Sequence, residues 1–244
     1  MSNNRVIWLS PTDPQDAFPP VETALREPDG LLAAGGDLST ERLLCAYRSG
    51  IFPWSDEGQP ILWWSPDPRC VFKKGDFHLS RSLRRHLRQS TAEVRFNTSF
   101  ATVIRACAAP RISEQETWIT PDMITAYERL HSEGWAHSVE IWRDGSLVGG
   151  LYGLAIGRAF FGESMYSAED NASKIALLTL SKMINADKFG LFDCQVPSSH
   201  LISLGATLIP RHDFIEILKP LCEPGVRFEN WPSAPISMQE LLQG

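Results

Sequence analysis

The stretch from His137 to Ser167, HSVEIWRDGSLVGGLYGLAIGRAFFGESMYS, is the part of this 244-residue chain whose reading decides the fold. Aromatic and aliphatic strand formers fill it, and Asp144-Gly145 and the region of Gly157 interrupt it with residues that accept the positive φ of tight hairpin turns. Two or three strands are predicted. The pattern then turns helical over roughly Ala172 to Ala186, where Ile175, Leu178 and Leu180 stand among small and polar residues. It passes through Gly190 into a short apolar strand, LFDCQV, from Leu191 to Val196. Strands before and after a crossover helix predict an α/β or α+β sheet domain of mixed strand direction, from about residue 90 to 220.

Upstream of the strands, Thr120-Pro121-Asp122 is a strong helix start, with a capping hydroxyl, proline at the first helical position and an acid in the first turn. That helix runs to Gly134. Further upstream, HLSRSLRRHLRQ places Arg81, Arg84, Arg85 and Arg88 on one helical face and Leu79, Leu83 and Leu87 on the other. Without interleaved carboxylates, the cationic face suits phosphate groups.

Net charge alone, at −6, argues against a nucleic-acid partner, but its distribution reverses that impression. Between Arg69 and Arg111 ten basic residues face only Asp76 and Glu93, so this segment carries +8 and the remainder −14. A basic block inside an acidic protein predicts a confined site for a polyanion.

Residues 1 to about 68 are rich in Pro, Gly and Trp. One short helix interrupts them, capped by Ser39, carrying Leu43, Leu44 and Tyr47 as its apolar stripe and ending at Gly50. In the run IFPWSDEGQPILWWSPDPR, four prolines prevent a long helix, and Trp54, Trp63 and Trp64 must be packed or bound. The start of the chain has no apolar run of signal-peptide length, and no later stretch has the length of a membrane span, so a cytoplasmic location is expected. Five widely spaced cysteines without C-x-x-C spacing read as reduced core thiols.

Two features carry candidate chemistry. Alternation along Leu191 to Val196 puts Asp193 and Gln195 on one face, where buried polar groups need partners or a function. Glu163 sits beside Gly162, whose missing side chain leaves room for a ligand or another backbone. His131, His137 and Glu140 straddle a helix end and a strand start, so no metal site is expected from them. The phosphate-cradling, dinucleotide and serine-elbow motifs are absent, which counts against ATP users, dinucleotide enzymes and serine hydrolases.

Taken in order, LREPDGLLAAGGDLS, AYRSGIFPW, LWWSPDPR, ETWIT, AHSVEIW, LVGGLYG, FFGESMYS, NASK, DCQV and SLGA resemble the leucyl/phenylalanyl-tRNA–protein transferase family, over about Leu25 to Pro210. The resemblance implies a small N-terminal domain (residues 1–68) with aromatic-rich loops, and an acetyltransferase-like (GNAT) domain (residues 69–244) that includes the basic helix. It implies transfer of Leu, Phe and less readily Met from aminoacyl-tRNA to proteins beginning with Arg or Lys, marking them for degradation in the bacterial N-degron pathway. It implies no cofactor, no metal and no membrane partner, with aminoacyl-tRNA as a substrate.

By motif, the resemblance places the transferred side chain among Tyr47, Trp54, Trp118, Tyr127 and Phe160. It places the polar centre at Glu163, Asp193 and Gln195, and tRNA binding at Arg81, Arg84, Arg85 and Arg88. The family's basic cluster often mixes Lys with Arg, whereas this one is all Arg, so its individual phosphate contacts are not transferable. The expected mechanism has Asp193 fixing the amide of Gln195, which orients or helps to deprotonate the attacking amine, with a role for Asp193 as a true base left open, while Glu163 helps to hold that amine or the acceptor backbone. Proton transfer by the ribose hydroxyl of the tRNA is the competing scheme. Two rival readings are an acyl-CoA-dependent N-acyltransferase, disfavoured because Glu169 and Asp170 at the helix start would repel a pyrophosphate, and a non-enzymatic RNA-binding protein.

Overall fold

The computed structural model describes residues 5–109 and 118–243. Strands β1 (Ile7–Leu9) and β2 (Leu31–Gly35) lead into helix α1 (Thr40–Arg48), followed by β3 (Phe52–Pro53) and β4 (Leu62–Trp64). These strands form a small sheet in the order β1-β2-β4-β3. Ser39 caps α1 as the sequence predicts, its hydroxyl accepting from the Arg42 amide. Trp63 is sealed in the core and donates to the Gly35 carbonyl at 2.9 Å, whereas Trp54 stays 40% exposed.

Next come β5 (Arg69–Phe72), α2 (Arg81–Gln89), β6 (Glu93–Phe96), α3 (Phe100–Ala108) and α4 (Pro121–Ser132). The deciding stretch forms three strands, β7 (Ala136–Arg143), β8 (Ser146–Ile156) and β9 (Ala159–Ser167), and α5 (Ala172–Asn185) and β10 (Leu191–Gln195) follow. Asp144 and Gly145 take φ of 50° and 78°, the conformation of the tight hairpin turn. The chain closes with α6 (Ser199–Ser203), β11 (Thr207–Ile209), α7 (Arg211–Leu218), β12 (Ile236–Ser237) and α8 (Met238–Gln243). The large sheet has the order β11-β5-β10-β9-β8-β7-β6-β12. The fold is mixed α+β, and strand, strand, strand, helix, strand is the order that the acetyltransferase-like resemblance implies.

Hydrophobic cores fill both faces of this sheet. One contains Tyr47, Trp63, Phe100, Tyr127, Tyr152 and Phe161 and continues into the small N-terminal sheet; the other, under α2 and α5, contains Leu83, Leu87, Phe160, Leu177 and Phe192. The basic helix therefore buries its leucines and leaves Arg81, Arg84, Arg85 and Arg88 exposed, as its periodicity predicts.

Two irregularities shape the centre of the sheet. Strand β10 runs parallel to β9 through only three positions, Leu191↔Ala159, Phe192↔Phe160 and Asp193↔Phe161, while β9 continues along β8 as far as Ser167↔Gly149. Beyond Asp193 the parallel strands separate. Both flanks of this opening carry bulges: Glu163 is the extra residue of β9 against β8, and Cys194 is the extra residue of β10 against β5. A bulge bends its strand and re-aims a side chain, and here both bulges border one opening.

Candidate active site

Glu163 is the hub of the opening. Its Oε1 accepts from the Tyr47 hydroxyl at 2.6 Å and from Nε2 of Gln195 at 2.8 Å, and its Oε2 accepts from the Tyr127 hydroxyl at 2.8 Å. The two phenol oxygens also touch each other. Four polar residues from α1, α4, β9 and β10 thus converge, although they lie up to 148 positions apart in the chain. Burial pushes the Glu163 carboxyl up to about 7, and the three donated hydrogen bonds work in the opposite direction. Burial likewise raises both tyrosines well above their ordinary range, so they remain protonated donors.

Gln195 reaches Glu163 through an unusual backbone. It is a non-glycine residue with φ of 63°, at the point where β10 bulges away from β5. Such conformations persist where the surroundings over-determine them. The restraint is Asp193, whose Oδ1 accepts from the Gln195 amide N–H at 2.8 Å. Asp193 is itself clamped by Arg69, with Nε to Oδ1 at 2.8 Å and Nη2 to Oδ2 at 2.7 Å, both side chains being fully buried. Arg69 is held in turn by the Gly50 carbonyl at 3.0 Å and lies between the rings of Phe52 and Phe214.

This corrects two expectations. Asp193 does not fix the side-chain amide of Gln195; Glu163 does that, and Asp193 holds the backbone amide, its Oδ1 shared between that N–H and Arg69 and its Oδ2 bound to Arg69. Arg69 belongs to the core rather than to the basic patch. Other members of the block are also paired, Lys74 with Asp187, Arg95 with Glu93 and Arg105 with Glu128, and Lys73 is half-buried, so among the described residues the face of α2 is the part of the block that is exposed without an ion pair; Arg111 lies outside the described residues.

Two cavities meet at the hub. A small apolar one of about 80 Å³ lies on the α5 side, lined by Leu151, Met165, Leu177, Phe192, Cys194 and Leu201. A wider cleft of about 220 Å³ is walled by Phe52, Trp54, Trp118, Gln195 and Val196. Glu163, Ser164, Met165, Cys194 and Leu201 border both. The structure therefore divides the expected side-chain pocket. Tyr47 and Tyr127 serve Glu163, and Trp54 and Trp118 line the cleft. Phe160 faces the other core, packed against Phe189, Phe192 and Trp231. Adjacent strand residues point to opposite faces, so it is Phe161 whose ring meets Tyr47, at 5.2 Å.

Gly162 itself lines the apolar cavity, and a Cβ there would lie 2.6 Å from Cε2 of Phe192, so the glycine also makes room for that ring as part of the wall. Sequence reasoning also missed Leu151, Met165, Leu177 and Leu201, since nothing distinguishes a cavity-lining aliphatic side chain from a core one by type or spacing. Of the rejected metal set, His131 bonds the Ala136 carbonyl, His137 sits between Asn97 and the Gly134 carbonyl, and Glu140 accepts from Thr98, Ser99, Ser138 and Trp142. At the start of α5, Glu169 is ion-paired with Arg143, so Asp170 is the acid left exposed there.

Comparison with known proteins follows the same lines. The family model described as leucyl/phenylalanyl-tRNA protein transferase matches residues 71–219, and that of the family's N-terminal domain matches residues 36–67. The leucyl/phenylalanyl-tRNA–protein transferase of Pseudomonas syringae pv. tomato is 61% identical over 82% of this chain and 88% of its own length. That of Hahella chejuensis is 57% identical over 83% and 86%, and that of Pseudomonas aeruginosa is 57% identical over 87% and 93%. Among solved structures, a ribosomal-protein-alanine N-acetyltransferase from Brucella melitensis biovar Abortus 2308 matches 59% of this chain and 97% of that one at 16% identity, with a TM-score of 0.34, too slight an overlap to argue from. With identities of this level over most of both partners, the chain belongs to the leucyl/phenylalanyl-tRNA protein transferase family.

Proposed function

We propose that this protein transfers Leu or Phe, and less readily Met, from aminoacyl-tRNA to the α-amino group of proteins that begin with Arg or Lys, marking them for N-degron degradation. The observation that carries this reading is the placement of Glu163 and Gln195, a proton acceptor and an amide, where an apolar cavity meets an aromatic cleft. The transferred side chain enters the apolar cavity between Leu177, Phe192 and Leu201. Such a pocket discriminates by size and shape, and one methylene is worth only about 1–3 kcal/mol, so Met is tolerated. The Trp54 and Trp118 cleft receives the 3′ end of the tRNA and the start of the acceptor, while the arginines of α2 hold backbone phosphates.

The amino acid arrives as an ester, so its carbonyl is already activated. The acceptor nitrogen attacks that carbonyl carbon; a C–N bond forms, the C–O bond to the ribose breaks, and a proton passes from the amine toward the departing oxygen. Gln195 donates its amide nitrogen to Glu163, which leaves the amide oxygen to accept an N–H from the amine. Glu163, with its pKa pushed to about 7, is poised near neutrality to take a proton. Asp193 and Arg69 act at one remove, as positioning residues. The reaction as written draws on no cofactor and no covalent enzyme intermediate.

The test is a single-turnover assay with radiolabelled Leu-tRNA and an Arg-initiated acceptor, run beside a Gly-initiated acceptor and leucyl-CoA. Transfer from tRNA to the Arg start alone, reduced at least about a hundredfold in Gln195→Ala, is expected. Transfer only from the CoA ester, or tRNA binding without transfer, would overturn the proposal.

A further inference from the structure

Arg69 and Asp193 pair on one face of the β5–β10 ladder; on the opposite face of the same two strands stand Cys70 and Cys194. Antiparallel pairing sets Gln195 against Cys70, and the bulge makes Cys194 the extra residue beside it. Both side chains belong to the core beneath α5, and they lie within hydrogen-bonding reach of each other. Both are free thiols. Cys70 is sealed, while Cys194 is half-buried and borders both cavities, so a small solute entering them comes up against this residue.

We propose that Cys70 and Cys194 are an oxidation site, closing under a peroxide into a disulfide that switches the transfer reaction off. The switch rests on the functional reading given above; the chemistry of the pair does not. Attack of the Cys194 sulfur on hydrogen peroxide forms an S–O bond, breaks the O–O bond and releases water, leaving a sulfenic acid. The Cys70 sulfur then attacks the Cys194 sulfur, the S–O bond breaks, and the hydroxide that departs takes up the Cys70 proton as a second water. Two thiols are oxidised by two electrons, and one peroxide is reduced to two waters. Access decides which sulfur reacts first, since Cys194 borders the cavities and Cys70 is sealed. Donation from Cys194 lowers the pKa of the Cys70 thiol, favouring it as the resolving nucleophile, while burial raises that of Cys194, so the first step is slow at neutral pH and quickens as pH rises.

The consequence for function follows from position. Cys194 lies between Asp193, which holds the backbone at the bulge, and Gln195, which faces Glu163. A covalent S–S bond of about 2.05 Å draws Cys194 toward β5 and off the cavity wall, and the neighbouring amide moves with it. Misplacement of a positioning group by about 1 Å can lower a rate by about a hundredfold.

The experiment treats the full reduced chain with a small excess of hydrogen peroxide, then reads intact mass, a non-reducing peptide map and transfer activity. The expected result is loss of two hydrogens, a linked peptide pair containing Cys70 and Cys194, a fall in transfer of roughly tenfold or more, and recovery with dithiothreitol. Cys70→Ser, which touches no proposed substrate, should keep basal transfer and gain oxygen rather than lose hydrogens. Oxygen addition without the Cys70–Cys194 link in the wild type would overturn the proposal, and so would a formed link that leaves transfer unchanged. Should the reduced protein transfer nothing at all, the functional reading and the switch fail together, while the linked peptide still shows whether the thiol pair closes.

Discussion

Arg69 and Asp193, separated by 124 positions in sequence, form a two-pronged ion pair in which no part of either side chain reaches solvent. The pair sits directly behind the bulge that aims Gln195 at Glu163, so an interaction outside both cavities governs the geometry between them. Removing one partner of a buried pair strands the other charge, whereas replacing both by apolar groups of similar volume is often nearly neutral.

Asp193→Ala and Arg69→Ala should therefore each lower the unfolding free energy by about 3–5 kcal/mol. The double variant Arg69→Met/Asp193→Leu should recover most of that loss. Transfer activity should stay low in all three, because the acceptor that holds the Gln195 amide N–H is gone or no longer anchored. Urea titrations beside single-turnover assays would measure both, and a double variant regaining activity along with stability would remove Asp193 from the mechanism.

The raised pKa of Glu163 has two opposite signatures. Its folded value of about 7 lies above the ordinary 4.5, so the fold favours the protonated form. The stability this contributes is complete below pH about 4.5 and is lost as pH rises through about 7. Wild type should lose Tm relative to Glu163→Gln between pH 5 and 8. Over the same interval the transfer rate should rise as the carboxylate forms. An inflection near pH 7 that survives in Glu163→Gln would belong to another group, such as the acceptor amine.

Tyr127→Phe removes one of the hydrogen bonds that hold the Glu163 pKa down. The inflection of the pH–rate profile should move upward, with the maximum rate changing less than in Gln195→Ala. A shift to lower pH would contradict the assigned donor role.

The exposed arginines of α2 predict a salt effect without a stability effect. Replacing Arg81, Arg84, Arg85 and Arg88 with Gln should flatten the dependence of log K on log salt by roughly 0.7–0.9 for every phosphate that no longer meets a cation. Thermal stability should change little, since the leucines of the helix, not its arginines, are buried. A filter-binding series in KCl measures the slope, and an unchanged slope would move tRNA binding elsewhere.

Gly162→Ala should alter substrate choice. Its Cβ would press on the Phe192 ring, at 2.6 Å from Cε2, and push that ring toward the apolar cavity. Overpacking of this kind costs about 1–3 kcal/mol. Use of Phe-tRNA should fall more than use of Leu-tRNA in competition assays, because the larger side chain is the first to run out of space. Equal reductions for both would separate the cavity from side-chain recognition.

Much of the architecture is local chemistry and was legible as such. Ser39 and Thr120 each accept a backbone N–H at the helix start where they stand, and the Asp144-Gly145 turn has the predicted positive φ. Other readings depended on period alone and stopped where the period breaks. The bulges at Glu163 and Cys194 insert a residue without any compositional sign, so strict alternation could not show Gln195 turned to Glu163. Phe160 and Phe161 are the same residue type side by side, and sequence could not tell which of them would meet Tyr47.

The sequence by itself determined the central order of three strands, helix and strand and the cationic face of α2, because capping, turn formation and helical periodicity act between near neighbours, and its ten ordered motifs carried the family resemblance. Only the tertiary structure decided that Arg69 leaves the basic patch to bind Asp193, that Glu163 gathers Tyr47, Tyr127 and Gln195, and that Cys70 meets Cys194. Each of these is a long-range pairing: the antiparallel β5–β10 ladder brings Arg69 to Asp193 and Cys70 to Cys194, and the separating strands β9 and β10, with α1 and α4, bring the partners of Glu163 together. Partners of a buried charge or thiol are chosen by what the fold brings within reach, and distance along the chain does not encode that choice.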